Sequence, residues 1–352
     1  MPLEEPGWWY GEARDSLAAR LLAPLGDLYG AAVERRFRTA APYRSELPVI
    51  CVGNFTAGGT GKTPLTRFLI AELAQRGTVP ACLSRGYGGA LAGPTWVDIA
   101  RHTAAEVGDE PLLIARGSDD VPVRVMIARD RKAGQAVIEA AGGVDVVIMD
   151  DGLQNPALAK DLAIAVVDAR RGIGNGRVIP AGPLRARLGF QLGLVDCIVV
   201  MGADPPDGSA TIFDDLKKEF HGPVLRGSVE AAGDTGWISG RRLIAYAGIA
   251  NPERFFRMLD GFAPRSVERR AFKDHHAFSD ADATRLIADA DVAGADLVTT
   301  EKDLARLAGL PGARSDLMAR SRVLPIAVTF EERDLMRIQA LLDGVLKGVT
   351  RA

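Results

Sequence analysis

The chain has 352 residues and a mass of 37.4 kDa, a length that predicts about two domains of ordinary size. Hydrophobic residues make up 47% and charged residues 25%, which is typical of globular proteins and excludes wholesale disorder. The formal net charge of −2 predicts no nucleic-acid partner, since nucleic-acid binders usually carry a basic excess. The three cysteines, Cys51, Cys82 and Cys197, are too scattered for a disulfide framework, which favours a reducing compartment.

The N-terminal segment, residues 1–45, differs in kind from the rest of the chain. The pair Trp8-Trp9 precedes a stretch in which apolar residues recur at helical spacing and arginines flank them. The apolar residues are Leu17, Leu21, Leu22, Leu25, Leu28, Tyr29 and Val33. Such an amphipathic helix suits either the headgroup region of a membrane or packing on the protein's own core. No stretch reaches the about 20 apolar residues that a bilayer-spanning helix needs.

Residues 46–222 alternate apolar β-branched runs with amphipathic stretches. This alternation predicts an α/β domain with a mostly parallel sheet covered by helices on both faces. The predicted strands are Pro48–Val52, Val79–Leu83, Val123–Ile127, Val144–Met149, Leu162–Val167 and Cys197–Met201. The predicted helices are Lys62–Gln75, Glu110–Ala115, Asp130–Ala141 and Leu184–Leu194.

Residues 223–352 repeat this alternation over a shorter length, which predicts a second, smaller α/β domain. The predicted strands are Leu243–Tyr246, Ser266–Arg269, Leu297–Thr299 and Val323–Val328. The predicted helices are Pro252–Leu259, Asp280–Ala290 and Glu332–Leu342.

A glycine-rich loop over residues 53–61 lies between a predicted strand and a predicted helix. Its glycines let backbone N–H groups point at phosphates, while Lys62 supplies a cation for them and Thr63 a hydroxyl for Mg²⁺. The common pattern has glycine where this chain has Thr56, and a glycine-rich turn without function is the alternative. The residues expected to bind a nucleotide are Thr56, Ala57, Gly58, Gly59, Thr60, Gly61, Lys62 and Thr63.

Two consecutive carboxylates, Asp150 and Asp151, follow the apolar run Val144–Met149. This places them at the carboxyl edge of a parallel sheet, where α/β proteins bind ligands. Either one is therefore expected to hold Mg²⁺, directly or through water. The alternative is a turn, because Asp-Asp-Gly is also good turn chemistry.

Two adjacent histidines, His275 and His276, offer a candidate base for an acceptor hydroxyl. Neighbours in an extended segment face opposite ways, so only one of them is expected to reach a site. The alternative is a structural histidine bonded to Asp274. Asp109, just before an apolar helical run, is interpreted first as a helix N-cap and only second as a catalytic carboxylate.

Eight segments, spread in order over nearly the whole chain, match the sequence motifs of one known protein family. They are Asn54–Pro64, Ser84–Gly88, Gly108–Pro111, Asp150–Gln154, Pro180–Arg185, Ala247–Phe256, Asp274–His276 and Thr299–Asp303. Together they resemble the tetraacyldisaccharide 4′-kinase family, the lipid A 4′-kinases of Gram-negative bacteria.

The resemblance implies transfer of the γ-phosphoryl group of ATP, with Mg²⁺, to the 4′-hydroxyl of a tetraacylated glucosamine disaccharide 1-phosphate. It implies a P-loop NTPase-like domain over 46–222, a smaller α/β domain over 223–352 and a membrane-associated helix within 1–45. It also implies a peripheral or monotopic location at the cytoplasmic face of the bacterial inner membrane. The substrate is then a lipid-linked disaccharide, and no obligate protein partner is evident.

The resemblance also implies residue roles. In the family, the Asp of Gly-Asp-Glu-Pro and the first His after Asp pair as the base, which maps onto Asp109 and His275. That mapping replaces the N-cap interpretation of Asp109, and Lys62 joins the pair as a catalytic residue. The positions that map onto the substrate side are Asn54, Arg85, Tyr87 and Gln154.

The chain departs from the family pattern at three positions. Leu153 and Asn155 replace the usual Phe and His after Asp-Asp-Gly, and Ala186 replaces the Glu that usually follows the Arg185 motif. Two other functional classes share the loop. A soluble P-loop kinase for a small metabolite would not need the N-terminal helix, and a regulatory NTPase would not need the Asp109–His275 pair.

Overall fold

The computed structural model describes residues 5–10, 16–117, 123–203 and 211–349. The strands in these ranges are β1 (Val49–Gly53), β2 (Pro80–Ser84), β3 (Thr95–Trp96), β4 (Arg124–Ile127), β5 (Val146–Asp150), β6 (Leu162–Asp168), β7 (Cys197–Met201), β8 (Val224–Ala231), β9 (Arg242–Ala247), β10 (Ser266–Ala271), β11 (Asp296–Thr300), β12 (Ser321–Leu324) and β13 (Ile326–Phe330).

The helices in the same ranges are α1 (Leu17–Thr39), α2 (Lys62–Gln75), α3 (Ala104–Val107), α4 (Asp109–Arg116), α5 (Arg131–Ala141), α6 (Leu188–Leu192), α7 (Ile212–Glu219), α8 (Pro252–Asp260), α9 (Asp280–Ala293), α10 (Glu301–Leu307), α11 (Ala313–Arg320) and α12 (Glu332–Val349).

The chain forms two compact units, and neither is continuous in sequence. The first unit comprises the described residues of Met1–Arg85, Asp130–Val229 and Val328–Ala352, and the second those of Gly86–Arg129 and Glu230–Ala327. The sequence pattern instead predicts two domains that are each continuous in sequence and meet at residue 222. The difference at the C-terminus arises because α12 packs in the first unit. Asp343 of α12 accepts a hydrogen bond from Arg76 at the end of α2 at 2.9 Å, and Gln339 donates to Glu72 of α2 at 3.0 Å.

The first unit contains a mostly parallel sheet, as predicted. Its strands follow the order β13-β8-β7-β6-β1-β5-β2. The central strands β1 and β5 are buried along their whole length, which is typical of parallel strands covered on both faces. In the parallel register, Val52 of β1 stands beside Asp150 of β5, so the loop after β1 and the carboxylates after β5 emerge at the same edge.

The second unit contains a four-stranded sheet in the order β10-β9-β11-β12, with parallel pairing throughout. Alternate residues of β9 face opposite sides. Leu243 belongs to a cluster with Phe256 of α8, whereas Tyr246 belongs to a cluster with Leu286 of α9. The sheet is therefore covered by helices on both faces, as the predicted α/β class requires.

Two predicted elements are wrong in extent. The strand predicted over Val323–Val328 is two strands, because Pro325 has no N–H with which to continue a ladder. The helix predicted over Leu184–Leu194 forms only over Leu188–Leu192, because the backbone of Leu184 is instead paired with Thr56.

The N-terminal helix α1 has one packed face and one exposed face. A Cβ on Gly26 would stand 2.5 Å from the carbonyl oxygen of Val178, so the helix contacts its own unit closely. The ring of Trp9, just before it, is buried and donates to the carbonyl of Pro180 at 3.1 Å. The large apolar residues that remain exposed on α1 are Leu17, Leu21, Leu25, Leu28 and Tyr29. Among the described helices, none has the length and apolar character to cross a membrane.

Candidate active site

The phosphate loop, residues 54–63, connects β1 to the start of α2. Gly58 and Gly61 have φ angles of +97° and +90°, which residues with a Cβ rarely adopt. Gly61 is the N-cap of α2, so Lys62 and Thr63 occupy the first turn of the helix. The N–H groups of a helix N-terminus attract anions, and the loop therefore presents an anion-binding backbone followed by a cation and a hydroxyl.

Hydrogen bonds within the first unit hold the phosphate loop in place. The backbone of Pro183–Arg185 bonds Phe55 and Ala57, each at 2.8 Å. The side-chain amide of Asn54 donates to the carbonyl of Thr56 at 2.6 Å. These bonds fix the loop conformation before any ligand arrives, which reduces the ordering cost of binding.

Three charged side chains meet beside the phosphate loop. Oδ1 of Asp151 lies 3.7 Å from Nζ of Lys62 and 2.7 Å from Nη1 of Arg185. Burial raises the pKa of Asp151, but the charges of Lys62 and Arg185 outweigh it and hold that pKa well below its usual range. Asp151 is therefore ionised at neutral pH. Arg185 lies within a family-like segment, yet it was not among the predicted site residues.

The residues of the phosphate loop fit a nucleotide and its metal ion. The Thr60 hydroxyl is buried and has no hydrogen-bond partner among the described residues. A buried hydroxyl in that state is costly, so a ligand oxygen would satisfy it. Thr63, Asp150 and Asp151 carry oxygen atoms of the kind that Mg²⁺ takes together with phosphate oxygens, so they would suit that ion. Asp150 is itself fully buried, with Oδ2 3.4 Å from the Ser84 hydroxyl.

Two further charges lie beside Gly58, and the sequence interpretation missed them. Glu5 and Arg171 form an ion pair, and a Cβ on Gly58 would contact both side chains. The guanidinium of Arg171 also lies over the ring of Tyr10, 4.2 Å from its centroid. No local pattern links residues so far apart in sequence, and only the fold brings them together.

In the second unit, Asp109 and His275 are in direct contact. Oδ2 of Asp109 lies 3.0 Å from Nδ1 of His275, and Asp109 is only 6% exposed. The N-cap interpretation of Asp109 is wrong, because Gly108 is the N-cap of α4 and Asp109 is its first residue. The other oxygen of Asp109, Oδ1, accepts the N–H of Glu110 at 2.9 Å. The carboxylate is thus oriented toward His275.

The backbone at His275 presents its ring to Asp109. Its φ of +58° is unusual for a residue with a side chain, and its N–H donates to the carbonyl of Gly248 at 3.0 Å. Because Asp109 is an acceptor when ionised, Nδ1 carries the proton and Nε2 carries the lone pair. Nε2 lies 3.7 Å from Oδ2 of Asp274, outside hydrogen-bond distance. His275 is therefore oriented to accept a proton at Nε2.

The neighbouring His276 has different partners. Its Nε2 lies 3.1 Å from Oδ2 of Asp282, and its ring stacks on Phe272 with 4.7 Å between centroids. Phe278 contacts both rings edge to face, with 5.1 Å to the Phe272 centroid and 5.0 Å to the His276 centroid. His276 is thus a packed structural histidine, whereas His275 is the one that contacts Asp109.

Two cations of α10 also reach Asp109. Arg306 donates to Oδ2 of Asp109 from Nε at 2.8 Å, and Nζ of Lys302 lies 3.8 Å from the same oxygen. Lys302 also pairs with Glu110 at 3.0 Å. Neither cation was predicted as a site residue, although their spacing of four positions places both on one helix face.

Asp109→Asn is expected to lower the free energy of unfolding at neutral pH, with a deficit that shrinks in acid. Burial raises the pKa of Asp109, but the hydrogen bond from His275 and the charges of Lys302 and Arg306 outweigh it and lower that pKa. The folded state therefore binds this proton less readily than the unfolded state. The stabilisation is complete above the unfolded pKa of about 3.9 and is lost as the pH falls through the lowered value.

Denaturant titrations of both proteins between about pH 2 and pH 7 measure this deficit. Asp296→Asn is the matched control, because its carboxylate lies 4.0 Å from Arg241 in a partly exposed pair. Such pairs contribute about 0–1 kcal/mol, so the control is expected to stay near wild type at every pH. A deficit of Asp109→Asn that is equal at pH 7 and pH 2 would contradict the prediction.

The predicted substrate-side residues lie in different surroundings. Asn54 is fully buried, and Gln154 donates to its carbonyl at 2.8 Å, so both support the phosphate loop. Arg85 is exposed, and Tyr87 is 61% exposed with its ring 5.8 Å from that of His275. The substrate roles that the resemblance implies for these four residues stay predictions.

The three residues that depart from the family pattern all lie in the first unit. Leu153 is fully buried, and a Cβ on Gly53 would stand only 2.5 Å from the Cβ of Leu153. The side chain of Asn155 accepts the N–H of Ala157 at 2.8 Å. Ala186 is fully buried and offers no carboxylate, so a metal ion here would depend on Asp150 and Asp151.

Comparisons with known proteins identify the family of this chain. A family model described as tetraacyldisaccharide-1-P 4′-kinase matches residues 18–346. A tetraacyldisaccharide 4′-kinase of Methylobacterium sp. (strain 4-46) is 46% identical over 348 residues, which are 98% of this chain and 99% of the relative. A tetraacyldisaccharide 4′-kinase of Rhodopseudomonas palustris (strain BisA53) is 47% identical over 336 residues, 94% of this chain and 93% of the relative.

A solved structure shares the fold. It is the crystal structure of the "apo" form of LpxK from Aquifex aeolicus in complex with ATP, with a TM-score of 0.71 and 24% identity. The match covers 94% of this chain and 100% of that one.

Proposed function

The chain belongs to the tetraacyldisaccharide-1-P 4′-kinase family, and we propose that it phosphorylates the 4′-hydroxyl of a tetraacylated glucosamine disaccharide 1-phosphate. The phosphoryl donor is ATP, and the reaction is a step of lipid A biosynthesis. The protein is therefore a phosphotransferase with an alcohol acceptor.

The observation that carries the proposal is the hydrogen bond between Asp109 and His275, in a chain that also has a phosphate loop. Transfer to an alcohol benefits from a base that takes the hydroxyl proton, and such a base contributes about 10²–10⁴-fold to rate. A regulatory NTPase has no acceptor alcohol from which this pair would take a proton.

The first unit supplies the groups that hold the donor. Lys62 and the amides of the phosphate loop would bind the β- and γ-phosphates, and Thr63, Asp150 and Asp151 would hold Mg²⁺. Mg²⁺, when bound, neutralises charge on the phosphate oxygens. Arg185 holds the Asp151 carboxylate beside the loop at 2.7 Å.

The second unit supplies the base. Nε2 of His275 accepts the proton of the 4′-hydroxyl as the oxygen attacks the γ-phosphorus. The bond between the γ-phosphorus and the β,γ-bridging oxygen breaks in the same step, and ADP leaves. Nδ1–H remains bonded to Asp109, which stays ionised and stabilises the imidazolium that forms. The proton leaves from Nε2 to solvent after transfer, which returns His275 to its starting state.

The experiment that tests the proposal follows the label of γ-labelled ATP. The protein is incubated with Mg²⁺ and ATP, with and without an acylated glucosamine disaccharide 1-phosphate in detergent micelles. The expected result is label on the lipid, and only when the acceptor is present. Label that appears only as free phosphate would support a regulatory NTPase, and label on a water-soluble acceptor alone would support a small-molecule kinase.

We propose in addition that α1 binds the cytoplasmic face of the inner membrane, where a lipid-linked substrate resides. One face of α1 packs within the first unit, and Leu17, Leu21, Leu25 and Leu28 on the helix are each more than half exposed. Arg36 and Arg38 in the last turn supply charges that attract anionic headgroups.

Replacing Leu21 and Leu25 with Glu is expected to weaken binding to anionic vesicles by about 100-fold, with the fold intact. Each buried leucine contributes about 1.5 kcal/mol or more to partitioning, which corresponds to about tenfold. Both side chains are more than half exposed, at 69% and 55%, so their replacement is expected to remove little buried contact. Vesicle sedimentation measures the change.

The control for this variant is Val292→Glu, at a side chain that is 91% exposed on α9 of the second unit. It introduces one negative charge, half of the change in the double variant, at an exposed apolar position outside α1. Equal loss of vesicle binding in both variants would mean that net charge, and not the apolar face of α1, determines partitioning.

A further inference from the structure

The proposed function assigns the base to Asp109 and His275 but leaves Arg306, which contacts both, without a role. We propose that Arg306 is a positioning residue for this pair, which holds Asp109 in place and ties it to the backbone that carries His275. The inference rests on the proposed function, because a base matters only when an alcohol is phosphorylated.

The first observation is the number of donors that Arg306 directs at one oxygen. Nε and Nη2 lie 2.8 and 2.5 Å from Oδ2 of Asp109, the same oxygen that contacts Nδ1 of His275. The side chains of Arg306 and Asp109 are 7% and 6% exposed, so water does not screen the pair. With Oδ1 bonded to the N–H of Glu110, the carboxylate has a single orientation.

The second observation is the other arm of the same guanidinium. Nη1 of Arg306 donates to the carbonyl of Gly248 at 2.5 Å and to Oδ1 of Asp303 at 2.6 Å. The carbonyl of Gly248 also accepts the N–H of His275, and Oδ2 of Asp303 accepts the N–H of Gly248 at 3.1 Å. One rigid side chain thus connects the Asp109 carboxylate to the peptide that anchors His275.

This connection matters because His275 has a φ of +58°, a conformation that persists only where its surroundings hold it. A lysine in place of Arg306 would keep the charge but lose the planar fork, so it could not bond Asp109 and Gly248 together. The geometry therefore predicts a role for the guanidinium shape as well as for its charge.

The charges around His275 give the role a measurable pH signature. Asp109 and Asp274 face the imidazole with negative charge, Nη2 of Arg306 lies 3.4 Å from Nδ1, and the Tyr87 ring packs against it. Removing the Arg306 cation leaves more of the negative charge of Asp109 uncompensated, which favours the protonated imidazole. The acid limb of kcat/KM is then expected to move to higher pH by about one unit.

The test is a double-variant cycle with Arg306→Met, Asp109→Asn and the combined variant, assayed by lipid phosphorylation. Arg306→Met is expected to lower kcat by about 10- to 100-fold, with KM for ATP unchanged, because charge-assisted bonds of this kind have that worth. The combined variant is expected to lose no more than Asp109→Asn alone, since Arg306 acts through Asp109. Losses that multiply, or an unshifted acid limb, would overturn the inference.

Arg320→Met is the matched control, because Arg320 pairs with Asp291 in the same unit and is 43% exposed. It is expected to keep the wild-type kcat and pH profile. If Arg306→Met does not fold, as judged by thermal unfolding, Arg306→Lys replaces it in the cycle. Arg306→Lys is then expected to retain part of the kcat and to shift the acid limb less, and full wild-type kcat in that variant would overturn the inference.

The same assay distinguishes this inference from the proposed function. Wild-type protein that leaves the lipid unlabelled would remove the proposed function, and with it the premise of the cycle. Wild-type protein that labels the lipid, together with a folded Arg306→Met variant of equal kcat, would remove the role of Arg306 alone.

Discussion

His275→Ala is expected to lower kcat for lipid phosphorylation by about 10²–10⁴-fold, the usual contribution of a general base. The loss follows because Nε2 of His275 is the atom that takes the hydroxyl proton, and no other histidine contacts Asp109 in the described part of the chain. The variant is expected to fold, since the ring is about one-third exposed and removes little core packing. Single-turnover kinetics with labelled ATP measure the chemical step directly.

His276→Ala is the matched control, one residue along the chain. Its ring stacks on Phe272 and bonds Asp282, so its loss should lower the free energy of unfolding and leave kcat within a few-fold of wild type. The opposite pattern, with His276→Ala inactive and His275→Ala active, would remove His275 as the base. A loss of kcat in both variants with reduced melting temperature in both would point to the loop rather than to either ring.

Lys62→Ala is expected to lower kcat by about 10²–10³-fold, because it removes one preorganised cation from the charge that develops on the transferred phosphoryl group. It is also expected to weaken ATP binding, since Lys62 stands in the first turn of α2 beside the phosphate loop. Asp151 loses the Lys62 cation in this variant but keeps Arg185 at 2.7 Å, so the local structure should persist. Equilibrium binding of ATP and steady-state kinetics measure the two effects separately.

Lys218→Ala is the control for removal of a lysine charge. Lys218 is 72% exposed and pairs with Asp215 within α7, so its loss should change neither ATP binding nor kcat. A Lys62→Ala protein that binds ATP and turns over like wild type would show that the phosphate loop is a structural turn.

The Lys62→Ala and His275→Ala variants are also expected to differ in their affinity for ATP. Lys62→Ala should weaken ATP affinity, whereas His275→Ala should leave it unchanged, because the base acts on the acceptor and not on the donor. Equal losses of ATP affinity in both variants would contradict this division of labour. The comparison therefore tests whether the two units contribute different parts of the reaction.

The donor side of the site was predictable because its chemistry lies in consecutive residues. A buried strand, a loop with glycines and the pair Lys62-Thr63 form a contiguous pattern, and the helix over Lys62–Gln75 was confirmed to the residue. The carboxylates Asp150 and Asp151 were predictable for the same reason, because parallel strands end at one edge of a sheet.

The histidines were candidate bases from the residues alone, but the pairing of Asp109 with His275 was predictable only through the family resemblance. Residue patterns alone favoured an N-cap for Asp109, and the structure places Gly108 there instead. Asp109 and His275 are 166 positions apart, and no local rule links residues at that separation. The contact of Arg306 with Asp109 spans 197 positions, and the pattern of α10 alone gave no sign of it.

Local order in this protein follows from short-range preferences: glycine conformations, helix capping and the alternation of buried strands with amphipathic helices. Those preferences determined that the chain is α/β, that a glycine-rich loop leads into the first turn of α2, and where most of its helices and strands lie. Long-range packing decided which charges meet, such as Arg185 with Asp151 and Arg306 with Asp109. A buried charge needs a partner, and which partner reaches it depends on how distant segments fold against each other.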